Sequence, residues 1–332
     1  MAGVDVLARC TPRMRAVLAT TERLATEVGV PGDDLAARRA SYDAEHRYWN
    51  EGGPAMARTV ERTVPTPYGA VRVREQHPAP EHDPAAGHVV YLHGGGFVLG
   101  GLDSHDRIVR TLAAGTGARV TAVDYTLSPE ARHPQAVHEC AAVVRDVAVA
   151  GEGPVALAGD SAGAHLALAT ALHLADRDGP ALGPLLLWYG LYGLRDSVSR
   201  RLLGGPWDGL TPADLAGYVA AYLGDEADDP AVDLLAADLS ALPPVYLAAT
   251  DLDPLLDDSV ALARLLGTAG VPHRLQVFPG VLHAFLHCSR DLPEARAALA
   301  AGAEFHAAHR RPRAGDPRPS HPSREAPRWT SD

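Results

Sequence analysis

A short glycine-rich stretch places a serine directly after an apolar run. Residues 159–163 read Gly-Asp-Ser-Ala-Gly, they follow Pro154-Val-Ala-Leu-Ala, and a helix-forming segment starts immediately afterwards. A strand that turns abruptly into a helix strains the turning residue, and flanking glycines remove Cβ atoms that would collide. Such a turn exposes the Ser161 hydroxyl at a helix amino end, which favours negative charge. The stretch therefore predicts a nucleophilic serine, and a serine that merely caps the helix is the alternative.

A second glycine-rich stretch follows another apolar run. His93-Gly-Gly-Gly96 comes directly after the run from His88 to Leu92. Glycines there let the bare backbone approach a substrate and point N–H groups at a developing oxyanion. A phosphate-binding loop is the alternative, but the stretch lacks GxGxxG spacing and the chain contains no lysine for a P-loop. We therefore interpret it as part of a site that stabilises negative charge on a substrate oxygen.

A nucleophilic serine needs an imidazole to take its proton and a carboxylate to orient that imidazole. The segment Thr250-Asp-Leu-Asp-Pro-Leu-Leu-Asp-Asp258 follows an apolar run and offers four acids. Pro254 begins a helix, so the last two acids, Asp257 and Asp258, fall in its first turn, where the helix dipole stabilises negative charge. Asp251 and Asp253 both remain candidates for the orienting acid.

The candidate base comes from the last loop of the same kind. Pro279-Gly-Val-Leu-His283 follows the run Arg274 to Phe278, and this position completes the order Ser, Asp, His in strand-end loops. His287 lies one helical turn later and invites a metal interpretation with His283. The intervening residues lack the glutamate of HExxH, and no third ligand is evident. We predict no metal and no cofactor.

The elements that must position these residues alternate between apolar runs and helical stretches. This alternation predicts an α/β fold with a mostly parallel sheet covered by helices on both faces. Two alternating segments, Thr59 to Val64 and Ala70 to Glu75, predict an antiparallel hairpin before it. The predicted strands of the parallel part are His88 to Leu92, Arg119 to Val123, Val155 to Ala158, Leu185 to Tyr189, Val245 to Ala249 and Arg274 to Phe278.

The remaining segments suggest how the chain is divided. Two helices are predicted within residues 1–58, and a catalytic domain spans residues 59–309. A segment at about 190–244 is too long for an ordinary connection, contains helical patches such as Leu215 to Leu223, and is interpreted as an insertion. Residues 310–332 are rich in arginine and proline and are expected to be disordered.

The composition indicates a folded protein without a polyanionic partner. All 30 basic residues are arginine, and a formal net charge of −11 argues against nucleic acid or an anionic membrane as partner. The three cysteines lie far apart without CxxC spacing, so neither disulfides nor a zinc site are implied. Since no signal peptide or apolar span is evident, we expect a cytoplasmic location.

With these residues in place, the chain resembles the hormone-sensitive-lipase-like family of α/β hydrolases, and within it the bacterial acetyl esterases. The likeness covers roughly Tyr48 to His306. It includes His93-Gly-Gly-Gly-Phe-Val-Leu-Gly, Asp124-Tyr-Thr-Leu-Ser-Pro-Glu-Ala-Arg132, Gly159-Asp-Ser-Ala-Gly163, Leu187-Trp-Tyr-Gly-Leu-Tyr-Gly-Leu-Arg-Asp-Ser197, Asp253-Pro-Leu-Leu-Asp-Asp258 and His283-Ala-Phe-Leu-His287.

The resemblance implies a serine carboxylesterase that acts on short acyl esters, acetyl to roughly octanoyl. Ser161 would be the nucleophile, Asp253 rather than Asp251 the orienting acid, and His283 the base. The oxyanion hole would come from the stretch His93, Gly94, Gly95 and Gly96, together with Ala162. Asp160 and Glu130 are interpreted as structural supports. The N-terminal helices and the insertion would form a cap over the acyl pocket.

Two other functions stay open at this point. The same residues could hydrolyse amides or transfer acyl groups, because both reactions pass through the same acyl-enzyme. A binding or regulatory protein on a hydrolase scaffold is the second, as in the plant gibberellin receptors, which can dispense with the histidine. The expected partner is a small-molecule ester. The oligomeric state is left open, with a homodimer as one option.

Overall fold

The described part of the chain folds around one eight-stranded sheet. A computed structural model describes residues 4–29, 34–80, 86–149, 153–177, 179–224 and 233–310. The strands are β1 (Arg58–Thr66), β2 (Gly69–His77), β3 (His88–Leu92), β4 (Arg119–Asp124), β5 (Val155–Asp160), β6 (Leu182–Trp188), β7 (Val245–Thr250) and β8 (His273–Phe278). Their order is β1-β2-β4-β3-β5-β6-β7-β8. β1 and β2 form the predicted antiparallel hairpin, β2 lies antiparallel to β4, and the pairs from β4 to β8 are parallel.

Helices cover both faces of this sheet. They are α1 (Val6–Arg9), α2 (Pro12–Val28), α3 (Leu35–Asn50), α4 (Asp106–Thr116), α5 (Gln135–Val149), α6 (Ala162–Ala175), α7 (Val198–Leu203), α8 (Pro212–Leu223), α9 (Leu256–Thr268) and α10 (Pro293–His309). Short 3-10 helices span Leu234–Ala236 and Phe285–Arg290. Buried residues of α5, α6 and α9 pack on one face of the sheet, and those of α4 and α10 pack on the other.

The continuous apolar runs follow from this double coverage. In β3, Val90 and Leu92 belong to the apolar cluster on one face, and Val89 and Tyr91 belong to the cluster on the other. Because side chains alternate along a strand, both sets must be apolar when both faces are buried. The predicted α/β fold, a mostly parallel sheet with helices on both faces, is confirmed.

The strand order reverses next to β3, and this places the carboxyl ends of several strands around one crevice. β4 lies on one side of β3, whereas β5 to β8 follow one another on the other side. In open α/β sheets such a switch point is where ligands bind. The loops that carry Ser161, Asp253 and His283 follow β5, β7 and β8.

The structure differs from the sequence predictions at several element boundaries. Three helices precede β1 instead of two, because the four residues of α1 form a further turn. β6 ends at Trp188 because Tyr189 has a φ of 40° and leaves the extended region. The helical patch predicted from Leu215 lies within α8. The tail predicted as disordered lies outside the described residues, except for Arg310, which ends α10.

None of the helices in the described ranges combines the length and the apolar character needed to cross a lipid bilayer.

Candidate active site

Ser161 lies in the sharp turn between β5 and α6. Its backbone has φ 52° and ψ −120°, a strained conformation for a residue with a side chain. The flanking glycines are required by close backbone packing. A Cβ on Gly159 would lie 2.3 Å from the carbonyl oxygen of Gly163, and one on Gly163 would lie 2.0 Å from that of Leu92. The turn therefore has the form that the sequence predicted.

The hydroxyl of Ser161 is linked to a buried carboxylate through one imidazole. Ser161 Oγ lies 2.9 Å from His283 Nε2, and His283 Nδ1 lies 2.8 Å from Asp253 Oδ2. The other carboxylate oxygen, Asp253 Oδ1, accepts the Leu255 amide at 2.7 Å. Because the carboxylate can only accept, Nδ1 carries the ring proton. Nε2 is then left as an acceptor for the serine proton.

The neighbouring acid, Asp251, faces a different part of the molecule. Its Oδ1 accepts the Gly280 amide at 2.6 Å, and its Oδ2 lies 3.6 Å from the Arg9 guanidinium. Asp251 therefore ties the last strand-end loop to the N-terminal segment. Of the two acids that the sequence left open, the structure brings Asp253, and not Asp251, to His283.

In the glycine-rich loop, the backbone amides of Gly95 and Gly96 have no hydrogen bond within the described residues, whereas the amide of Gly94 is hydrogen-bonded. Gly95 and Gly96 line the cavity that contains Ser161. Within the described residues, neither their amides nor that of Ala162, the first residue of α6, donates a hydrogen bond. Gly94 donates its amide to Asp160 Oδ1 at 3.0 Å. These three unpaired amides are the candidates for an oxyanion hole.

His93 and Gly94 do not fit the oxyanion role that the sequence predicted for them. The His93 ring is buried and stacks on Tyr125 with a centroid distance of 4.2 Å, and its Nδ1 lies 2.8 Å from the Gly94 carbonyl. Neither residue is among the described residues that line the cavity. We correct the prediction because the Gly94 amide is already bonded and the His93 ring packs in the interior.

The cavity above Ser161 has a volume of about 380 Å³, at the small end of the range for ligand sites. Its walls come from four parts of the chain: helices α2 and α3, the glycine-rich loop, the segment Pro206 to Leu210 with Tyr218 of the insertion, and the loop after β8. Met14, Val17 and Leu18 supply apolar wall, and Tyr42 and Trp49 supply aromatic wall. Apolar and aromatic side chains thus form much of the wall of a half-open cavity that fits a small ligand.

Comparisons with known proteins agree with this geometry. A family model described as "alpha/beta hydrolase fold" matches residues 89–287, more than half of the chain. The chain belongs to the α/β-hydrolase fold family. A hyperthermophilic esterase from the archaeon Pyrobaculum calidifontis is 31% identical, with 90% of this chain and 98% of that chain covered and a TM-score of 0.83.

Two further solved structures support the class of this α/β hydrolase. A thermostable carboxylesterase cloned from a metagenomic library is 27% identical, with 84% of this chain and 98% of that chain covered and a TM-score of 0.79. A thermostable esterase from Pseudomonas putida is 25% identical, with 91% and 98% covered and a TM-score of 0.82. The class predicted from the sequence, a carboxylic ester hydrolase of this family, is confirmed.

Asp160, which precedes Ser161, links the serine turn of the hydrolase to β3 and to the glycine-rich loop through hydrogen bonds. Its Oδ1 accepts the Tyr91 hydroxyl at 2.7 Å, and the Tyr189 hydroxyl lies 3.5 Å from Oδ2. Burial alone would raise the pKa of this carboxyl, but His105 nearby and the hydrogen bonds outweigh burial and lower the pKa below its ordinary range. Asp160 is thus an ionised, hydrogen-bonded anchor. The sequence suggested this supporting role but could not identify its partners.

A candidate metal cluster also lies at this anchor. Ligand atoms of His105, Asp160 and His287 lie within 4.8 Å of one another, and all three residues are buried. However, the Gly94 amide donates to both Asp160 Oδ1 and His105 Nε2, at 3.0 and 3.2 Å. A cation between these two atoms would face an N–H group. The pair considered from the sequence, His283 with His287, does not form a site, since His283 contacts Ser161 and Asp253.

Glu130 and Asp258 support the site from outside. Glu130 forms a bidentate ion pair with Arg39 of α3, at 2.7 and 2.8 Å. Asp258 is buried in the first turn of α9, where its Oδ1 accepts three successive amides that begin at Tyr192, and Arg200 lies 3.0 Å from its Oδ2. The sequence assigned Asp258 only to the helix dipole. The structure shows that it also fixes the start of the insertion.

Proposed function

We propose that this α/β hydrolase is a serine carboxylesterase that hydrolyses short-chain acyl esters, acetyl to about octanoyl, through an acyl-enzyme on Ser161. The observation that carries the proposal is the unbroken line of hydrogen bonds from Ser161 through His283 to Asp253 at the base of a small cavity. This is the arrangement by which an unactivated hydroxyl becomes a nucleophile.

In the proposed reaction, His283 Nε2 takes the proton of Ser161 as Oγ attacks the ester carbonyl. The amides of Gly95, Gly96 and Ala162 stabilise the oxyanion that forms. His283 then gives the proton to the leaving alcohol, and water repeats the sequence on the acyl-enzyme. Asp253 keeps the proton on Nδ1 and stabilises the imidazolium. Each oxyanion donor typically contributes about 100- to 1,000-fold in rate.

We further propose that residues 1–58 and the insertion at about 190–244 form a cap on a catalytic domain of residues 59–309. Support comes from the cavity wall, to which Val17 of α2, Tyr42 of α3 and Tyr218 of α8 contribute beside Ser161. Because the cap supplies most of the apolar wall, it would set the length of the acyl chain that fits. The homodimer and the cytoplasmic location considered from the sequence stay predictions.

The acyl-chain preference gives a direct test of the proposed substrate class. We expect kcat/KM for p-nitrophenyl esters to be highest between two and about eight acyl carbons and to fall for longer chains, because the cavity is at the small end of ligand sites. Initial rates on purified protein with chains of two to twelve carbons measure this. A rate that still rises at twelve carbons would refute the short-chain assignment.

The pH dependence tests the role of His283. Burial lowers the pKa of this imidazole, but the charges of Asp253 and Asp208 and the hydrogen bond to Asp253 raise it, with a net shift above the usual 6.5. An imidazole that is already protonated cannot act as a base. We therefore expect kcat/KM for p-nitrophenyl acetate to fall as pH drops, with a midpoint above pH 6.5 rather than across the ordinary histidine range.

The measurement is a rate profile from pH 5 to 9, corrected for spontaneous ester hydrolysis. Below the midpoint the rate should fall about tenfold per pH unit, as for loss of one essential base. A flat profile down to pH 5 would exclude His283 as the base.

A further inference from the structure

The described wall of the active-site cavity contains acidic side chains but no arginine. Glu45, Asp160 and Asp208 contribute to its wall, whereas none of its described lining residues is an arginine. The other histidines of the wall do not compensate, because burial lowers the pKa of His46 to about 4 and that of His287 well below its ordinary value. The described wall therefore holds more acidic than basic side chains, and its negative charge increases as pH rises through the pKa of Asp208, about 7.

Asp208 is the acid in this wall with a buried oxygen that lacks a hydrogen bond within the described residues. It lies in the insertion, in the cavity segment Pro206 to Leu210, and its Oδ1 accepts the Leu210 amide at 3.1 Å. The Gly205 amide also interacts with the carboxylate, but the buried Oδ2 meets no donor at hydrogen-bonding geometry within the described residues. Asp160, in contrast, accepts bonds on both oxygens. A buried carboxylate oxygen without a donor is costly, and a ligand that supplies a donor or a positive charge removes that cost.

Asp208 also interacts with the reacting groups. Burial raises the pKa of its carboxyl to about 7, although the nearby His283 acts in the opposite direction. The carboxylate of Asp253 adds to the increase. Asp208 thus changes its charge in the pH range in which the enzyme would work, and a bound cation would favour the charged form.

Aromatic rings border the same space. Tyr42, Trp49, Trp207 and Tyr218 all line the cavity. The faces of such rings attract cations, and quaternary ammonium groups are bound in this way with little cost of desolvation. Negative charge and aromatic wall together match a positively charged amine better than they match a neutral alcohol.

We propose that the alcohol part of the substrate carries a positively charged amine, which is bound by Asp208. This inference rests on the proposed esterase function. The charge is assigned to the alcohol part because the short acyl chains proposed above carry no charge. Asp208 is therefore a specificity-determining residue, contributed by the insertion.

A matched pair of esters tests this proposal. One is the acetate ester of choline, and the other is its carbon analogue, in which a tert-butyl group replaces the trimethylammonium group. The two have nearly the same shape and differ in charge. Release of acetic acid is titrated at about pH 8, where Asp208 is ionised because its pKa is about 7. An ionic strength of about 0.15 M limits long-range effects of the net charge.

We expect kcat/KM of the wild type to favour the cationic ester by at least about tenfold, the factor that about 1.4 kcal/mol provides. In Asp208→Asn the ratio should fall about tenfold, and any preference that remains would come from the aromatic rings and the other acids of the wall. Asparagine keeps the bond to Leu210, and the ratio of the two esters cancels any effect on His283, which both reactions use. Asp196→Asn removes an exposed charge of the same insertion and should leave the ratio unchanged.

Equal rates for the two esters in the wild type, or an unchanged preference in Asp208→Asn, would overturn the proposal. If p-nitrophenyl acetate is hydrolysed but neither of these esters is, only the cationic alcohol part is rejected; if p-nitrophenyl acetate is not hydrolysed either, the proposed esterase function fails as well. The binding of choline, measured by calorimetry, does not depend on turnover. We expect affinity to drop about tenfold in Asp208→Asn, and equal affinity for both proteins would overturn the proposal independently of any activity.

Discussion

Replacing Ser161 by alanine should reduce kcat for p-nitrophenyl acetate by about 10⁴- to 10⁶-fold. The substitution removes the hydroxyl that lies 2.9 Å from His283 Nε2, and with it the atom to which the acyl group would be transferred. The residual rate would come from the amides of the glycine-rich loop and from binding alone. This is one of the two largest effects that we expect in the protein.

The control for Ser161→Ala is a serine outside the cavity. Ser240 is exposed, and Ser240→Ala should keep the wild-type rate. Both variants should give the circular dichroism spectrum and thermal midpoint of the wild type, since alanine retains the Cβ of Ser161. Turnover by Ser161→Ala within about tenfold of the wild type would remove the serine from the mechanism.

The second large effect is expected from Asp253→Asn, with a loss of about 10⁴-fold in kcat. An asparagine amide can no longer accept the Nδ1 proton as a charged carboxylate does, so the imidazole loses both its tautomer and the stabilisation of its cation. The contact at 2.8 Å between His283 Nδ1 and Asp253 Oδ2 is the basis for this expectation.

Asp251→Asn is the matched control, two residues away in the same loop. Its carboxylate contacts the Gly280 amide and Arg9, and the ion pair is partly exposed. Such pairs contribute about 0–1 kcal/mol, so the variant should lose a little stability and keep kcat within a few-fold of the wild type. A greater loss of kcat in Asp251→Asn than in Asp253→Asn would reverse the assignment.

The fold could be predicted from the sequence because the pattern that identifies each strand lies within a few consecutive residues. Strands β3, β5, β6 and β7 are buried on both faces and therefore appear as short apolar runs, whereas the edge strand β8 is partly exposed and carries polar residues. The Ser161 turn could likewise be predicted, because the glycines at 159 and 163 are needed within the motif itself, where their Cβ atoms would contact backbone. Consecutive strand-end loops then placed a histidine and two acids near the serine.

The choice among neighbouring residues could not be made from the sequence pattern alone. Asp251 and Asp253 lie in one loop, and only the path of the backbone determines which carboxylate reaches His283. The same holds for the glycine-rich loop, where the Gly94 amide bonds to Asp160 while Gly95 and Gly96 adopt positive φ values of 114° and 62°. Residue types gave no basis to separate these three glycines.

Contacts between segments that are far apart in the chain could not be predicted from the sequence either. His105 of the loop before α4 lies 3.5 Å from Asp160, and no pattern connects these two positions. Asp208 belongs to an insertion without clear periodicity. Its position in the cavity wall near His283 depends on how the insertion folds over the sheet, which the sequence pattern does not predict. Both residues are charged or polar groups whose importance depends on what surrounds them.

The central claim, that Ser161 carries the acyl group, is tested most directly by mass spectrometry of the covalent intermediate. Wild-type protein is mixed with p-nitrophenyl acetate, quenched in acid during the first turnovers and digested, and the acylated peptide is sequenced. We predict one acetyl group per chain on Ser161, and no such adduct in Ser161→Ala. An adduct on another residue that turns over at the catalytic rate, or full turnover without any adduct on Ser161, would contradict the account.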